Sequence, residues 1–282
     1  MTADKSRQKF KFSWKVTLTC CVLVALMLKA SHWQWTRHLK KKIFVAELTQ
    51  RLAMPVMTQE SFTEKNQDLS KLLHRKVKLN GSFDFANEII LRNRRYEKIP
   101  GFYVITPFKL ADSSQTVLVN RGFIPTTKAN QTLRKEFHKP KGKISFYGLI
   151  KASMPRKFLA PKDPPTGGSH PWVDAWLRID IEKIQKQMPY ELAPLYVEYI
   201  SQTSPEIELD QIVKSDVDKT DMLFLPERAS TLQAKENSFI YPVPQVNTYI
   251  PAGRHFGYVF EWAIMAFMTV IIGLIIQLRR NK

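Results

Sequence analysis

Two long apolar stretches, one near each end, dominate the hydrophobic pattern of this chain. The second runs from Phe256 to Leu278, contains one charge at Glu261, and precedes the basic residues Arg279, Arg280 and Lys282. A helix rising about 1.5 Å per residue over that length is about 35 Å long, whereas a bilayer's hydrocarbon core is about 30 Å thick. The pattern predicts a membrane-spanning helix over 255–278 and a basic tail over 279–282.

The first apolar stretch is shorter and follows a basic tail over residues 1–15. Its uninterrupted run, 16–28, has the length of the apolar region of a signal peptide. Extending the run to Trp35 gives a full span, because the Lys29 ammonium can reach the interface and tryptophans suit an interfacial belt. We predict a retained helix over 16–35. The alternative is a signal peptide cleaved near Ala30, where the sequence offers a poor small-x-small site.

Basic residues at the exit of the second span predict the orientation of the chain. Three of them follow the span and one, Arg254, precedes it, so the positive-inside rule places the C-terminus in the cytoplasm. Two spans then place the N-terminus there too, with residues 36–254 in the periplasm or in a mitochondrial intermembrane space. No Arg- and Ser-rich transit peptide precedes the first span, which favours a bacterial inner membrane.

Between the spans, apolar and polar residues alternate with a period of two in several short segments, as is typical of strands. The polar segment 111–115 joins two of these segments and is typical of a hairpin loop. The predicted strands are Val77–Phe85, Ile89–Leu91, Gly101–Leu110, Thr116–Ile124, Ile144–Ile150, Trp176–Ile179 and Leu195–Ile200.

Helical spacing is found in fewer places. It continues the first span over 35–52, up to Pro55, and predicts short helices over 67–73 and 180–188. Residues 201–236 are polar and irregular, which indicates a loop-rich insertion. The predicted fold is therefore an α+β exported domain, mostly antiparallel sheet with a few helices, between two transmembrane helices.

The composition excludes several classes of function. The formal net charge is +18, but the basic residues are spread along the chain, which favours a surface facing anionic lipid over a nucleic-acid site. The two cysteines, Cys20 and Cys21, lie inside the first span, so the exported domain has neither a disulfide nor a cysteine metal site. Common hydrolase, metalloprotease and nucleotide-binding motifs are missing, and we predict that the chain is not an enzyme.

His255, at the mouth of the second span, is a candidate haem ligand. Haem needs a neutral imidazole nitrogen, an apolar slot and cations for its propionates. Tyr258 and Trp262 follow at i+3 and i+7, on the same face of the predicted helix, and Arg254 is adjacent. The alternative is that the imidazole binds lipid headgroups or a loop carbonyl and that the aromatic residues form an interfacial belt. Glu261 either reaches the interface or faces a protein partner.

Six motifs occur in order along most of the chain. They are a Trp-Gln-x-x-Arg motif, a Gly-x-Phe element, a Val-x-Thr-Pro-Phe strand, an Asn-Arg-Gly run, a Trp-x-x-x-Asp element, and a His-x-x-Tyr pattern followed by Trp. They lie within Trp33–Arg37, Val77–Asp84, Gly101–Phe108, Val117–Pro125, Trp176–Asp180 and His255–Trp262. With these motifs the chain resembles the Surfeit-locus family of cytochrome c oxidase assembly proteins.

Two positions depart from that family's pattern. Gly253 stands where the family usually has Asn, and Glu261 stands where it usually has Thr or a small residue. In the Asn-Arg-Gly run, the residue types predict a strand that ends in a tight turn with Gly122 at positive φ. Arg121 would then be held at a fixed point, where it pairs either with a carboxylate of the fold or with a propionate.

The resemblance implies an assembly factor for haem–copper cytochrome c oxidase that assists haem a insertion into the catalytic subunit. The implied partners are that subunit, haem a synthase and the lipid bilayer. Under this hypothesis His255 binds the haem a iron, Tyr258 and Trp262 line the slot, and Arg254 or Arg121 neutralises propionates. The alternative is a membrane-anchored scaffold that binds the oxidase subunit without haem. A third hypothesis, a membrane-bound enzyme, needs an acid–base pair in a cleft, and the sequence offers none.

Overall fold

The computed structural model of the chain describes residues 9–10, 12–64, 68–165, 171–206, 237–246 and 253–279. The chain divides into two compact units. Residues 1–49 and 250–282 form the span unit, and residues 50–249 form the barrel unit.

The helices are α1 (Trp14–Ala53), α2 (Gln59–Thr63), α3 (Leu69–Leu72), α4 (Gln131–Arg134), α5 (Ile181–Gln185) and α6 (Gly253–Gln277). The strands are β1 (Lys9–Phe10), β2 (Lys76–Phe83), β3 (Ile89–Tyr96), β4 (Ile99–Leu110), β5 (Thr116–Pro125), β6 (Ile144–Ala152), β7 (Ala175–Trp176), β8 (Leu192–Ser201) and β9 (Leu278–Arg279). The α+β class with a mostly antiparallel sheet is therefore confirmed. Most of the predicted insertion, 207–236, lies outside the described residues.

The element bounds differ from prediction in several places. Strand β3 continues five residues beyond the predicted Ile89–Leu91, because a bulge after Leu91 lets the strand go on pairing with β4. Helix α5 is shorter than the predicted 180–188. Strand β7 ends at Trp176 rather than at the predicted Ile179. Helices α2 and α4 were not predicted at all. A single helical turn carries too few apolar positions to show a period.

Five strands of the barrel unit close on themselves. Strand β2 pairs with both β6 and β4, β6 pairs with β8, β8 pairs in parallel with β5, and β5 pairs with β4. Counted along the chain as strands one to five, β2, β4, β5, β6 and β8 follow the cyclic order 1-2-3-5-4-1. This is the strand order of the OB-fold, a partly open five-stranded barrel. Strand β3 is an addition that extends the sheet beyond β4 and pairs with the short β7.

Two hydrophobic clusters lie on opposite faces of the barrel strands. The interior cluster takes residues from all five barrel strands, among them Leu79, Phe108, Val119, Phe146 and Val197. The outer cluster covers the other face of β4, β5 and β8 with side chains of β3, β7 and α5, including the fully buried Trp176. OB-folds bind nucleic acids on the corresponding outer face. In this chain that face is covered by apolar side chains of β3, β7 and α5.

A bulge interrupts β5 at Arg121. Asn120 pairs with Ile105 and Gly122 with Val104, so Arg121 has no partner in the ladder. Gly122 has the predicted positive φ, +128°, and its amide donates to the Asn120 side chain at 3.1 Å. The predicted tight turn is wrong, because the bulge absorbs the extra residue and β5 continues in the same ladder to Pro125.

Helices α1 and α6 are both long and apolar enough to cross a membrane. In the span unit they pack against each other along a seam of small and polar residues. Ser31 Oγ donates to the Val259 carbonyl at 3.0 Å. Further along, a Cβ added to Gly273 would lie only 2.6 Å from Cys20 Sγ, so these two small residues allow close approach. The short β1 and β9 pair at the far end of the seam.

Candidate functional site

Four of the five predicted haem-binding residues lie in the first three turns of α6, and the fifth, Arg121, lies on β5. Because α6 is one continuous helix, His255, Tyr258 and Trp262 share a face, as predicted. The side chains of Arg254 and His255 lie outside the described part of the structure. Tyr258 is exposed and Trp262 is half-buried, so this face is only partly covered within the chain.

An aromatic cluster from both helices surrounds Phe256, near the start of α6. The ring of Phe256 is 6.2 Å from Trp35 and 5.2 Å from His38 of α1, and 5.0 Å from Phe260 one turn further along α6. These contacts fix the start of α6 against α1.

Glu261 lies on the exposed side of α6. Its side chain is exposed, whereas Ala266 of the same helix is buried. Inserting an ionisable side chain such as Asp at the centre of a bilayer, with no protein around it, costs about 2.5–3.5 kcal/mol of free energy. This geometry favours an interfacial depth or a protein partner for Glu261.

Arg121 belongs to a buried ionic network at one end of the barrel. Its Nη1 lies 3.1 Å from Glu88 Oε2, and its Nη2 donates to the carbonyls of Phe137 and Lys139. The guanidinium also lies 5.2 Å from the ring of Phe83, which packs on the interior cluster. Burial lowers the pKa of Arg121 from its ordinary value, and Glu88 opposes that shift. This is the carboxylate pairing that the sequence left open, and it holds the loop after β5 in place.

Glu88 is the centre of this network and was not predicted from the sequence. Thr106 Oγ1 donates to Glu88 Oε2 at 2.8 Å, and Arg134 and His138 lie near Oε1, at 3.7 and 3.5 Å. Arg134 also donates to Asp174 Oδ1 at 2.6 Å. Glu88 is a single acidic residue before an apolar run, so its partners could only be found once the strands were paired.

A cavity of about 290 Å³ opens beside this network. Its walls are Phe85, Ala86, Glu88, Gln131, Arg134, Lys135, His138 and Trp172. The His138 ring stacks on Phe85 with 4.6 Å between centroids and an interplanar angle of 11°. We call it the barrel-end cavity. It combines cations with flat aromatic surfaces.

A second cleft, of about 440 Å³, lies on the outer face of the barrel. At its floor the buried Lys151 Nζ is 3.6 Å from Glu198 Oε2. Arg94 enters from β3, donates to the Leu177 carbonyl and lies over the Tyr103 ring. Burial lowers the pKa of Arg94. In this cleft Lys151 is paired with Glu198, whereas Arg94 donates to backbone carbonyls.

Among the described residues, no group of three His, Cys, Asp or Glu side chains is arranged to hold a metal ion. The predicted site residues lie in two separate parts of the molecule. His255, Arg254, Tyr258 and Trp262 are on α6 of the span unit, and Arg121 is inside the barrel unit.

Comparison with known proteins agrees with the resemblance found in the motifs. A sequence model of the SURF1 family matches residues 21–267. Surfeit locus protein 1 of rat is 30% identical over 148 residues, which is 47% of this chain and 47% of the rat protein. The human protein of the same name is 30% identical over 149 residues, 47% of this chain and 48% of its own length.

A SURF1-like protein of Rickettsia bellii is 27% identical over 189 residues, 65% of this chain and 70% of the bacterial protein. The chain spans about half the length of the rat and human proteins it matches. The family model, by contrast, covers far more than half of the chain, from the first apolar helix into the second. The chain belongs to the SURF1 family.

Proposed function

We propose that this protein is an assembly factor for haem–copper cytochrome c oxidase that assists haem a insertion into the catalytic subunit. Family membership and the two helices able to cross a membrane support this role. The role requires binding and release, without bond making or breaking in a substrate. The catalytic subunit and haem a synthase are the proposed partners, and the lipid bilayer surrounds the spans.

The face of α6 that carries His255 is the proposed binding site, and the helix register is the observation that carries the proposal. His255 would hold the haem a iron through a neutral imidazole nitrogen. Tyr258 and Trp262 would line the slot. The residues fit such a group, because this face of α6 is partly exposed and the neighbouring Phe256 is packed on α1.

Arg254 is the proposed partner of the propionates. The Nη1 and Nη2 groups of Arg121 already bind protein acceptors. To bind a propionate, Arg121 would have to give up Glu88 or two carbonyls, and leaving Glu88 without this partner costs several kcal/mol, about 3–5. Arg121 in our proposal therefore supports the barrel end, and Arg254 supplies the cation.

The proposed location is a bacterial inner membrane with both termini in the cytoplasm and the barrel unit in the periplasm. The basic residues that follow the second span support this orientation through the positive-inside rule. The Rickettsia relatives show that bacterial chains of this family occur.

A spectrum of the purified protein tests the proposal. The full chain is co-expressed with the enzymes of haem a synthesis, purified in detergent, and examined for a haem a absorption band. We expect the band in the wild type and in the control His32→Ala, whose imidazole is exposed on α1. His255→Ala should lose or shift the band. A band unchanged in His255→Ala would overturn the assignment of the iron ligand.

The second candidate is a scaffold that binds the oxidase subunit and never binds haem. The exposed carboxylate of Glu261 favours it, since an ionisable group in a span needs a protein partner or the interface. A scaffold would co-purify with the subunit, carry no haem, and lose that partner in Glu261→Leu while keeping it in His255→Ala.

A further inference from the structure

We propose that a loop of the barrel unit, residues 154–162, docks on an anionic lipid bilayer and inserts the side chains of Phe158 and Leu159 among the lipids. We call residues 154–162 the basic loop. The proposed haem-binding face lies on α6 of the span unit, so docking of the basic loop does not depend on haem binding. It requires only that α1 and α6 cross a membrane.

The tip of the basic loop carries two neighbouring apolar side chains that are almost fully exposed. Phe158 is 93% exposed and Leu159 is 83% exposed. Among the other large apolar side chains in the described part of the barrel unit, only that of Ile240 is more than half exposed. Because contact of adjacent large apolar groups with water is unfavourable, such a pair marks a surface that binds an apolar partner.

The backbone holds this tip in a defined shape. The Ala160 amide donates to the Lys157 carbonyl at 3.1 Å, which closes a β-turn with Phe158 and Leu159 at its centre. Leu159 has a φ of +63°, a left-handed conformation that glycine or asparagine adopts more readily. Bulky residues held in such conformations are concentrated at functional sites, which supports a binding role for the tip.

Both legs of the basic loop are tied to the barrel unit. The Met154 amide donates to the Ile179 carbonyl at 2.7 Å. On the other leg, Arg178 Nη2 donates to the Pro161 carbonyl at 2.8 Å. A loop that is already ordered loses little conformational entropy when it binds, so the exposed tip is prepared for contact.

The charge of the basic loop selects the kind of apolar partner. Its charged residues are Arg156, Lys157 and Lys162, all of them exposed. The next residue, Asp163, has a buried side chain 3.0 Å from Arg178 Nη1, so it does not neutralise these cations at the surface. Cations beside an apolar tip match an anionic bilayer, because the cations meet lipid phosphates while the tip enters the acyl region.

The chain keeps the barrel unit tethered to a bilayer that α1 and α6 cross. Residues of the span unit precede the barrel unit in the chain and also follow it. A tethered surface meets its partner at a high effective concentration, so a weak contact is sufficient for docking.

A fluorescent label beside the tip tests the proposal in the full chain. Cys20→Ala and Cys21→Ala remove the native thiols, and Ala160→Cys provides a site for an environment-sensitive dye next to the tip. The protein is reconstituted into vesicles of phosphatidylethanolamine and phosphatidylglycerol that contain a lipid with a nitroxide on its acyl chain. We expect strong quenching of the dye in these vesicles and weaker quenching in phosphatidylcholine vesicles. The same dye at the control Gln131→Cys, an exposed position on α4, should be quenched little.

Two double variants of the labelled chain separate the apolar contribution from the electrostatic one. Phe158→Ser with Leu159→Ser should abolish the quenching. Lys157→Gln with Lys162→Gln should lower the docking equilibrium about thirtyfold in anionic vesicles, because each cation near such a surface contributes about fivefold. All four side chains are exposed, so the urea midpoint of unfolding should not change.

Several outcomes would overturn the proposal. Quenching as weak at Ala160→Cys as at Gln131→Cys would rule out docking on the bilayer. Quenching that survives the double serine variant would rule out insertion of the tip, and equal quenching in anionic and phosphatidylcholine vesicles would rule out the role of the cations. If the dye at position 160 is shielded from iodide only when the oxidase catalytic subunit is added, the basic loop binds a protein and the proposal is wrong.

Discussion

The barrel unit and the span unit both bury polar groups, but they hold them differently. In the barrel unit, ionisable side chains are nearly fully buried, and the carboxylate of Glu88 forms ion pairs with both Arg121 and Arg134. In the span unit, the seam uses neutral groups such as Ser31, whose hydroxyl donates to the Val259 carbonyl of α6. That carbonyl also accepts a hydrogen bond within α6, so it keeps a partner without Ser31. The difference predicts that removing one polar side chain is costly in the barrel and cheap in the seam.

The largest effect should follow from Glu88→Ala. It leaves Arg121 and Arg134 as buried charges without their shared carboxylate, which should cost about 4 kcal/mol of unfolding free energy. Urea unfolding followed by tryptophan fluorescence measures this loss. The control is Glu136→Ala, which breaks the exposed pair with Lys128 and should cost at most about 0.5 kcal/mol. Equal losses in both variants would contradict a buried network at the barrel end.

Gly122→Ala should rank second, at about 3 kcal/mol. The φ of +128° suits glycine alone, and a Cβ would lie 2.1 Å from the carbonyl oxygen of Val243. Gly142→Ala is the matched control, since Gly142 also has positive φ, +83°, but nothing within 4 Å of the added carbon. The control should lose only about 1 kcal/mol. The difference between the denaturation midpoints of the two variants gives the stability lost because the new Cβ at position 122 meets the Val243 carbonyl.

Gly273→Cys tests how closely the two helices of the seam approach. The new Cβ would lie 3.5 Å from the Cys20 Cβ, which suits a disulfide, and mild oxidation should link the two residues within one chain. The link should stabilise the helix pair by about 2 kcal/mol. Mass spectrometry of proteolytic fragments detects it. Gly257→Cys is the control, because nothing lies within 4 Å of its added Cβ, and a link there would rule out the seam.

Asp84→Asn should have a smaller and pH-dependent effect. Burial acts to raise the pKa of Asp84, but hydrogen bonds from Lys109, Asn87 and Tyr190 outweigh it and lower that pKa. A lowered folded-state pKa stabilises the fold above the unfolded pKa, and this stability is lost as pH falls through the folded value. Since Lys109 is half exposed, the gain at neutral pH is about 1 kcal/mol or less.

Unfolding curves of wild type and Asp84→Asn at neutral and acidic pH check this sign. The gap between the two proteins should close as the pH falls below about 4. A gap that widens in acid would mean that the Asp84 pKa is raised.

The smallest effect should come from Ser31→Ala in the seam. Hydrogen bonds between membrane helices contribute about 0.6 kcal/mol on average, because the separated helices find other partners. The measurement is the cross-linking yield of Gly273→Cys with and without Ser31→Ala, with Thr49→Ala as the control on the exposed side of α1. The yield should change only slightly. If the yield fell as if the helix pair had lost about 4 kcal/mol, as expected for Glu88→Ala in the barrel unit, the two units would hold polar groups in the same way.

The strand pattern was largely predictable from two kinds of signal. Strands such as β2 alternate apolar and polar residues, whereas β4, β5 and β8, which are buried on both faces, contain short runs of consecutive apolar residues. The bulge at Arg121 could not be predicted, since a bulge interrupts the period of two by which a strand is recognised. The strand registers that place Glu88 beside Arg121 and Lys151 beside Glu198 could not be predicted from the sequence either. In each pair the partners lie on separate elements, and only the pairing of the sheet sets their distance.

The sequence by itself determined the two apolar helices, the α+β class, the need for glycine at 122 and the shared face of His255, Tyr258 and Trp262. Each of these depends on local periodicity or local backbone sterics. Only the tertiary structure decided that β2 closes on β4 to form a barrel, that Arg121 is committed to Glu88, and that Arg134 faces a cavity. Those outcomes depend on contacts between residues far apart in the chain, whose geometry is fixed when strands pair and charges are buried together.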